Sequence, residues 1–155
     1  MIDDTGDRKD GSATAHVARQ YLGSVGKLDN GIVAVTSLWA SERCYWPVHA
    51  VPYTPASRLP AGERDPAFRT KPRLAVELVQ AAQQASIRFR AVVADCAYGD
   101  NPGFTDALGA AGVRFVLASS LARAPGRRSR RPTPRSRRPA TSAGRDPASP
   151  AGGGG

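Results

Sequence analysis

The pattern of apolar and polar positions predicts a β-hairpin in the first third of the chain. Residues 31–40 and 44–53 are rich in β-branched and aromatic side chains, and a short polar stretch separates them. Two such segments joined by a few polar residues are typical of paired antiparallel strands. Pro47 lies inside the second segment. Because proline has no N–H to donate to a β-ladder, it predicts an edge strand or a bulge at that point.

Two helices are predicted beyond residue 69, after a loop rich in proline and glycine. Thr70 and Asn101 are suitable N-cap residues, and each is followed within two residues by a proline, which fits the first turn of a helix. Apolar residues then recur at helical spacing, as Leu74, Leu78, Ala81 and Ala85 in the first segment and as Phe104, Leu108 and Ala111 in the second. Gly112 is placed to end the second helix.

Short apolar runs predict further strands at residues 91–94 and 113–118, and the helix between them favours a parallel pair. Only Met1 and Ile2 precede Asp3. We therefore expect a truncated first strand that ends at Asp3, followed by a charged loop that contains glycine. The order of elements predicts a mixed α/β fold, with a hairpin in the sheet and flanking helices.

Charge is distributed unevenly along the chain. Of the net charge of +9, residues 121–155 contribute +8, with nine arginines and one aspartate, and 27 of these 35 residues are Arg, Pro, Ala or Gly. A segment with so few large apolar side chains cannot bury enough surface to fold, so residues 120–155 are predicted to be a disordered basic tail. One interpretation is an arm that binds nucleic acid phosphates. The other, which we favour, is a frameshift product whose charge is incidental.

Other residue types exclude several classes of protein. Cys44 and Cys96 have no metal-binding spacing, and there are only two histidines, so neither a zinc site nor a disulfide framework is predicted. No stretch approaches the roughly 18 apolar residues of a membrane span, and the N-terminus is acidic. We expect a cytoplasmic protein that does not enter the membrane.

Two aspartates follow apolar segments directly, Asp3 and Asp95. Carboxylates brought together at strand ends bind hard divalent cations, and such ions promote phosphoryl transfer. For Asp95 alone, capping of the next helix is the more common role. The pairing with Asp3 is what favours a metal site.

Several blocks of the sequence, in order, resemble one known family over residues 2–118. They are IDDTGDRKDG, ARQYLGSVGKLDNG, ERCYWPVHAVPYTPA, DPAFRTKPRLAVELV and VVADCAYGDNPGF. Together they resemble the DDE-superfamily transposases of bacterial insertion sequences, which have a ribonuclease H-like catalytic core. The resemblance implies an incomplete core of this kind in residues 1–119.

The resemblance also implies a site and a reaction. It places the first two catalytic, metal-binding acids at Asp3 and Asp95, while Asp4, which points the other way on a strand, is a weaker candidate. The implied enzyme uses Mg²⁺ to cleave DNA at transposon ends and to join the freed 3′-hydroxyl to target DNA, without a covalent enzyme intermediate. A nucleoid-associated protein with DNA as its partner is expected.

The block after the first aspartate supplies DNA-facing candidates, namely Arg19, Gln20, Tyr21 and Lys27. The alternative is a solvated loop with Tyr21 packed on the core. Tyr98, in the second acidic block, is expected to shape the edge of the site together with Gly99 and is a further candidate for contact with DNA.

The sequence departs from the family pattern in one important way. The family's third carboxylate is a Glu in a later helix, and this chain has no Glu after Glu77. Because catalytic groups that act as a unit lose nearly all activity when one is removed, we expect a truncated, inactive transposase. Two other readings stay open: a non-catalytic DNA-binding or regulatory protein acting through the tail, and, less favoured, an aspartate phosphatase loop at Asp3, Asp4 and Thr5.

Overall fold

The computed structural model describes residues 1–120, which form a mixed α/β fold. In chain order the strands and helices are β1 (Ile2–Arg8), β2 (Ala18–Leu22), β3 (Lys27–Ala40), β4 (Tyr45–Pro52), α1 (Lys71–Gln84), β5 (Val92–Ala94), α2 (Cys96–Gly99), α3 (Pro102–Ala110) and β6 (Phe115–Leu117). Two single 3₁₀ turns, Ala56–Arg58 and Gly62–Arg64, lie in the loop before α1. The predicted tail lies outside the described residues from residue 121 onward.

The long strand β3 organises an antiparallel sheet. It pairs with β1, β2 and β4, and β4 pairs with β3 alone, as an edge strand. The β3–β4 register skips one residue, because Ser37 lies opposite His49 and Leu38 lies opposite Pro47. The hairpin, the edge strand and the bulge predicted from Pro47 are all confirmed.

The second half of the described chain also follows its predicted elements. The side chain of Thr70 accepts from the Arg73 amide at the start of α1, and that of Asn101 accepts from the Phe104 amide at the start of α3. Strands β5 and β6 pair in parallel. Gly112, just after α3, has a φ of 65°, which glycine adopts without strain. The two helix caps, the second helix end and the parallel pair are therefore confirmed.

Two expectations about the N-terminal region are wrong. Strand β1 does not end at Asp3 but continues to Arg8, paired with β3 along its whole length. Residues 18–22, expected in a charged loop, form β2. The alternation of polar and apolar residues in both strands is weak because three inward-facing positions are polar or glycine, namely Asp4, Gly6 and Gln20. Pairing with β3 therefore decides the structure.

The main core lies between one face of the sheet and helices α1 and α3. Its fully buried side chains come from every layer and include Ile2, Val35, Leu78, Tyr98, Phe104 and Leu108. We call the sheet face that packs on this core the inner face and the opposite one the outer face. Within residues 1–120, no helix has the length and apolar character needed to cross a membrane.

Candidate functional site

The two neighbouring aspartates of β1 occupy different environments. Asp3 lies opposite Thr36 on the outer face and is exposed, whereas Asp4 lies opposite Val35 on the inner face and is partly buried. Alternate residues of a strand point to opposite faces, so the expected difference in direction is confirmed. Asp3 Oδ1 accepts from the Asp4 amide at 2.8 Å.

Asp4 is held by two side chains that come from far along the chain. The Lys71 ammonium, at the start of α1, lies 2.6 Å from Asp4 Oδ2, and the Tyr98 hydroxyl donates to Asp4 Oδ1. Lys71 Nζ also lies 5.6 Å from the centre of the Tyr53 ring. Since both oxygens of Asp4 have protein partners, its position is that of a structural link among β1, α1 and α2.

Tyr98 is the buried centre of this arrangement. It is 2% exposed, and its ring packs against Phe104 with 5.5 Å between ring centres. Burial raises the pKa of the Tyr98 hydroxyl, and the hydrogen bond to Asp4 and the charges of Asp4, Asp95 and Asp3 raise it further. The hydroxyl therefore stays protonated and donating. The carboxylates of Asp3, Asp4 and Asp95 all lie near enough to the Tyr98 hydroxyl to raise its pKa.

Asp95 follows β5 directly and caps α2. Its Oδ1 accepts from the Ala97 amide at 3.0 Å, so the capping role is confirmed. Strand β1, which carries Asp3, contacts β5, and Asp95 is the residue that follows β5.

Gly99, four residues after Asp95, allows the end of β6 to approach α2. A Cβ at this position would lie 2.0 Å from the carbonyl oxygen of Ala118. A side chain would therefore displace the segment that follows β6. This explains in physical terms why a glycine follows Tyr98 in this block.

The carboxylates of Asp3 and Asp95 meet some of the requirements of a site for a hard cation. Each carboxylate has one oxygen engaged by a main-chain amide, and within residues 1–120 no hydrogen bond or ion pair occupies the second oxygen of either one. Carboxylate oxygens are the ligands that Mg²⁺ prefers. Across that same part of the chain, no three His, Cys, Asp or Glu side chains form a group able to hold a metal ion.

The residues expected to face DNA separate into two groups. Arg19 and Tyr21 are exposed on the outer face of β2, the face that also carries Asp3. Tyr21 is 58% exposed, so the alternative that it packs on the core is wrong.

The remaining candidates make contacts within the protein. The Gln20 amide points to the inner face and donates to the Gly31 carbonyl at 2.9 Å. Lys27 begins β3, and its ammonium lies 3.5 Å from Asp29. Tyr98, being buried, serves Asp4 rather than an exposed surface.

The link made by Lys71 was not found by sequence reasoning. Lys71 lies in the block DPAFRTKPRLAVELV, but 67 positions separate it from Asp4, and no spacing rule connects residues so distant. The only available signal was the resemblance of that block to the family.

The fold defines a class, that of mixed α/β proteins with an antiparallel sheet and a separate parallel pair of strands. Comparison with known proteins then gives the family. Residues 1–152 match the family model described as DDE superfamily endonuclease, and the chain belongs to this family.

A curated relative and a search of solved structures complete the comparisons. Over 119 residues the chain is 40% identical to a protein from Microchaete diplosiphon described as a probable transposase for insertion sequence element IS701. This alignment covers 76% of the chain and 30% of the relative, so the chain spans less than a third of that protein's length. No solved structure matches the chain.

Proposed function

We propose that the chain carries part of the catalytic core of a DNA transposase, an enzyme that cleaves DNA strands and joins them to a new site. The observation that supports this most is that, in a member of the DDE endonuclease family, the strand that carries Asp3 contacts β5, which ends one residue before Asp95. The antiparallel sheet with its long hairpin, together with the separate parallel pair β5–β6 and the helices, fits part of a ribonuclease H-like fold.

Asp3 and Asp95 are the residues that would hold Mg²⁺, through the carboxylate oxygens that no described residue engages. When bound, the ion would supply activation of a water or hydroxyl nucleophile and stabilisation of the leaving oxygen. The protein's own part is to hold the two carboxylates in place.

The link among Asp4, Lys71 and Tyr98 performs that positioning. Asp4 is joined to α1 through Lys71 and to α2 through Tyr98. Since Asp3 precedes Asp4 and Asp95 caps α2, this link fixes β1 relative to the segment that carries the second acid. Asp4, Lys71 and Tyr98 are therefore positioning residues.

The outer face of β2 gives DNA a place beside Asp3. The Arg19 guanidinium is suited to a phosphate and the Tyr21 ring to a sugar or base, and both are exposed. On this proposal DNA is the partner of the chain. The protein acts in the bacterial cytoplasm, where DNA is accessible.

We further propose that the 155-residue chain does not cleave DNA by itself. With no Glu after Glu77, two carboxylates hold the cation weakly, and loss of one member of a catalytic unit removes most of the activity.

The test measures Mg²⁺ binding and DNA nicking on the same samples. We expect weak binding, seen by titration calorimetry or by NMR shifts at Asp3 and Asp95, and we expect its loss in Asp95→Asn. Asp106→Asn, at an exposed position on α3, is the matched control and should bind as the wild type does. Mg²⁺ binding that survives Asp95→Asn would contradict the metal site. Nicking of supercoiled DNA that is present in the wild type and absent in Asp95→Asn would contradict the proposed inactivity.

A second candidate function is non-catalytic DNA binding through residues 121–155, and the observation in its favour is their net charge of +8. Binding of this kind weakens steeply with salt because counterions are released. Deletion of these residues should then abolish binding to random-sequence duplex DNA. Equal binding by the shortened chain would exclude the tail as the binding segment.

A further inference from the structure

A concave surface lies where the segments that follow α1 and α3 lead into β5 and β6. Its volume is about 780 Å³, and three arginines line it, Arg88, Arg90 and Arg114. All three side chains are exposed. We call these residues the arginine cluster. The candidate site described above makes no use of them.

The backbone of the arginine cluster is fixed by the fold. The Trp39 indole donates to the Arg88 carbonyl at 2.8 Å, and the Val92 amide donates to the Arg114 carbonyl at 2.9 Å. Strands β5 and β6 run in parallel, with Val92 paired to the residue that follows Arg114. Arg90 and Arg114 therefore lie at the same end of this strand pair, and the cluster is a built part of the surface.

The charge of the arginine cluster is not compensated. Within residues 1–120, no ion pair engages any of the three guanidinium groups, and no Asp or Glu lines the surface. Residues 78–94 and 107–120 contain no acid at all, although residues 1–120 carry only the remaining net charge of +1. Residues 121–155, with nine arginines and one aspartate, cannot neutralise the cluster. An anion from outside the chain would therefore be attracted to it.

The arginines are not needed to complete the ends of the two helices. Main-chain amides that follow each helix already donate to carbonyls of the last turn, namely those of Ala81, Ala82 and Gln83 in α1 and of Ala107, Leu108 and Gly109 in α3. A cation near a helix C-terminus gains only a small, screened interaction with the helix dipole at exposed positions. The guanidinium groups therefore keep their donors for a ligand.

We propose that the arginine cluster binds the phosphate backbone of duplex DNA. A guanidinium group donates two parallel hydrogen bonds to a phosphate, which makes arginine well suited to this contact. Gln83 and Ser86 line the same surface and offer neutral side-chain donors. The choice of DNA among polyanions rests on the proposed function.

The position of the cluster makes it a second DNA contact, apart from the candidate metal site. Arg90 precedes β5, whereas Asp95 follows it. Five residues separate the two, so their Cα atoms are at most about 18 Å apart. One turn of duplex DNA spans about 34 Å, so a single duplex is long enough to contact both. The arginine cluster would then hold the DNA that passes the carboxylates.

The test measures binding of the full chain to a random-sequence duplex of about 20 base pairs, roughly two helical turns, at several salt concentrations and without Mg²⁺. The variant R88Q/R90Q/R114Q should bind at least about 10-fold more weakly. Its slope of log affinity against log salt should fall by about 2–3, because each phosphate contact contributes about 0.9. The matched control is K9Q/R43Q/R64Q, which removes the same charge at exposed positions outside the surface. Its slope should change by less than about 1.

Chemical modification locates the contact independently of residues 121–155. Bound DNA should slow the reaction of phenylglyoxal with Arg88, Arg90 and Arg114 in the wild type, but not with Arg64, as read by mass spectrometry. Equal loss of affinity in the two triple variants, or no protection of the cluster, would overturn the proposal. Equal protection by polyglutamate would also overturn it, since the cluster would then select acidic peptides as well as DNA.

Two further outcomes separate this proposal from its alternatives. If R88Q/R90Q/R114Q melts at a lower temperature than the wild type but binds DNA equally well, the arginines serve the helix ends and the proposal is wrong. Mg²⁺ binding and its loss in Asp95→Asn do not depend on these arginines. Failure of the DNA contact therefore leaves the proposed metal site standing, and failure of the metal site leaves the DNA contact to be judged by its own measurements.

Discussion

At the scale of single residues, Asp3 and Asp4 show how strand geometry gives two identical side chains different roles. Asp3 points to solvent and keeps one oxygen without a partner among residues 1–120, whereas Asp4 is engaged by Lys71 and Tyr98. Adjacency in a strand was enough to predict opposite directions. The partners of Asp4 could not be predicted, because they come from residues 67 and 94 positions away.

Removal of the Tyr98 hydroxyl tests the link to Asp4. Tyr98→Phe leaves a partly buried carboxylate with one partner fewer, so the free energy of unfolding should fall by about 1–2 kcal/mol. Urea denaturation followed by circular dichroism measures the change. Tyr45→Phe, at a ring that is 71% exposed, is the control and should have no effect. Equal stability of both variants would show that the Asp4 link contributes nothing.

The lowered pKa of Asp29 predicts that the stability of the fold depends on pH. The Asn30 amide, and then the charges of Lys27 and Arg8, lower the pKa of Asp29 below its ordinary value of 3.8. A carboxylate with a lowered pKa in the folded state stabilises the fold above the unfolded-state value, and this contribution is lost as the pH falls below about 4. Asp29→Asn should therefore be less stable than the wild type at pH 7, with the difference shrinking at pH 3. Denaturant midpoints at the two pH values measure it, and a constant difference would contradict the prediction.

At the scale of elements, local signals determined most of what was predicted correctly. Thr70 and Asn101 cap their helices, Pro47 marks a bulge, and Gly112 follows the end of α3, each for a reason contained in a few neighbouring residues. Strand β2 was missed because its residues carry little alternation of their own. Its structure depends on pairing with β3, which local sequence does not show.

Close packing between strands makes Gly31 a sensitive position. A Cβ there would lie 2.4 Å from the Asp7 carbonyl oxygen and 2.7 Å from Leu22 Cδ1. Gly31→Ala should therefore shift β1 or β2 away from β3 and lower the free energy of unfolding by about 1–3 kcal/mol. Thermal unfolding of this variant is compared with that of Gly23→Ala, where an added Cβ meets open space. A similar melting temperature for the two variants would contradict the close approach.

At the scale of the whole molecule, one core joins the antiparallel sheet to the helices and to the parallel pair. Ile2 and Val35 come from the sheet, Leu78 from α1, and Phe104 and Leu108 from α3. The same arrangement brings β1, which carries Asp3, into contact with β5, which ends one residue before Asp95. Integrity of the core and geometry of the candidate site are therefore coupled.

Leu78 tests the packing of this core. It is 2% exposed at the centre of the core, and Leu78→Ala should lower the free energy of unfolding by about 2–5 kcal/mol through lost burial and the cavity left behind. Leu28→Ala, at a side chain that is 58% exposed, should change it by less than about 0.5 kcal/mol. The measurement is chemical denaturation. A small effect at Leu78 would mean that α1 does not pack on the sheet as described.

The sequence by itself determined the two helices and their caps, the hairpin with its bulge, the parallel strand pair and the family. Each of these rests on the chemistry of neighbouring residues or on blocks of residues in a fixed order. Tertiary structure alone decided the full length of β1, the existence of β2, and the link among Asp4, Lys71 and Tyr98. These features depend on which distant segments meet, and they are determined by hydrogen bonding between strands and by close packing of the core.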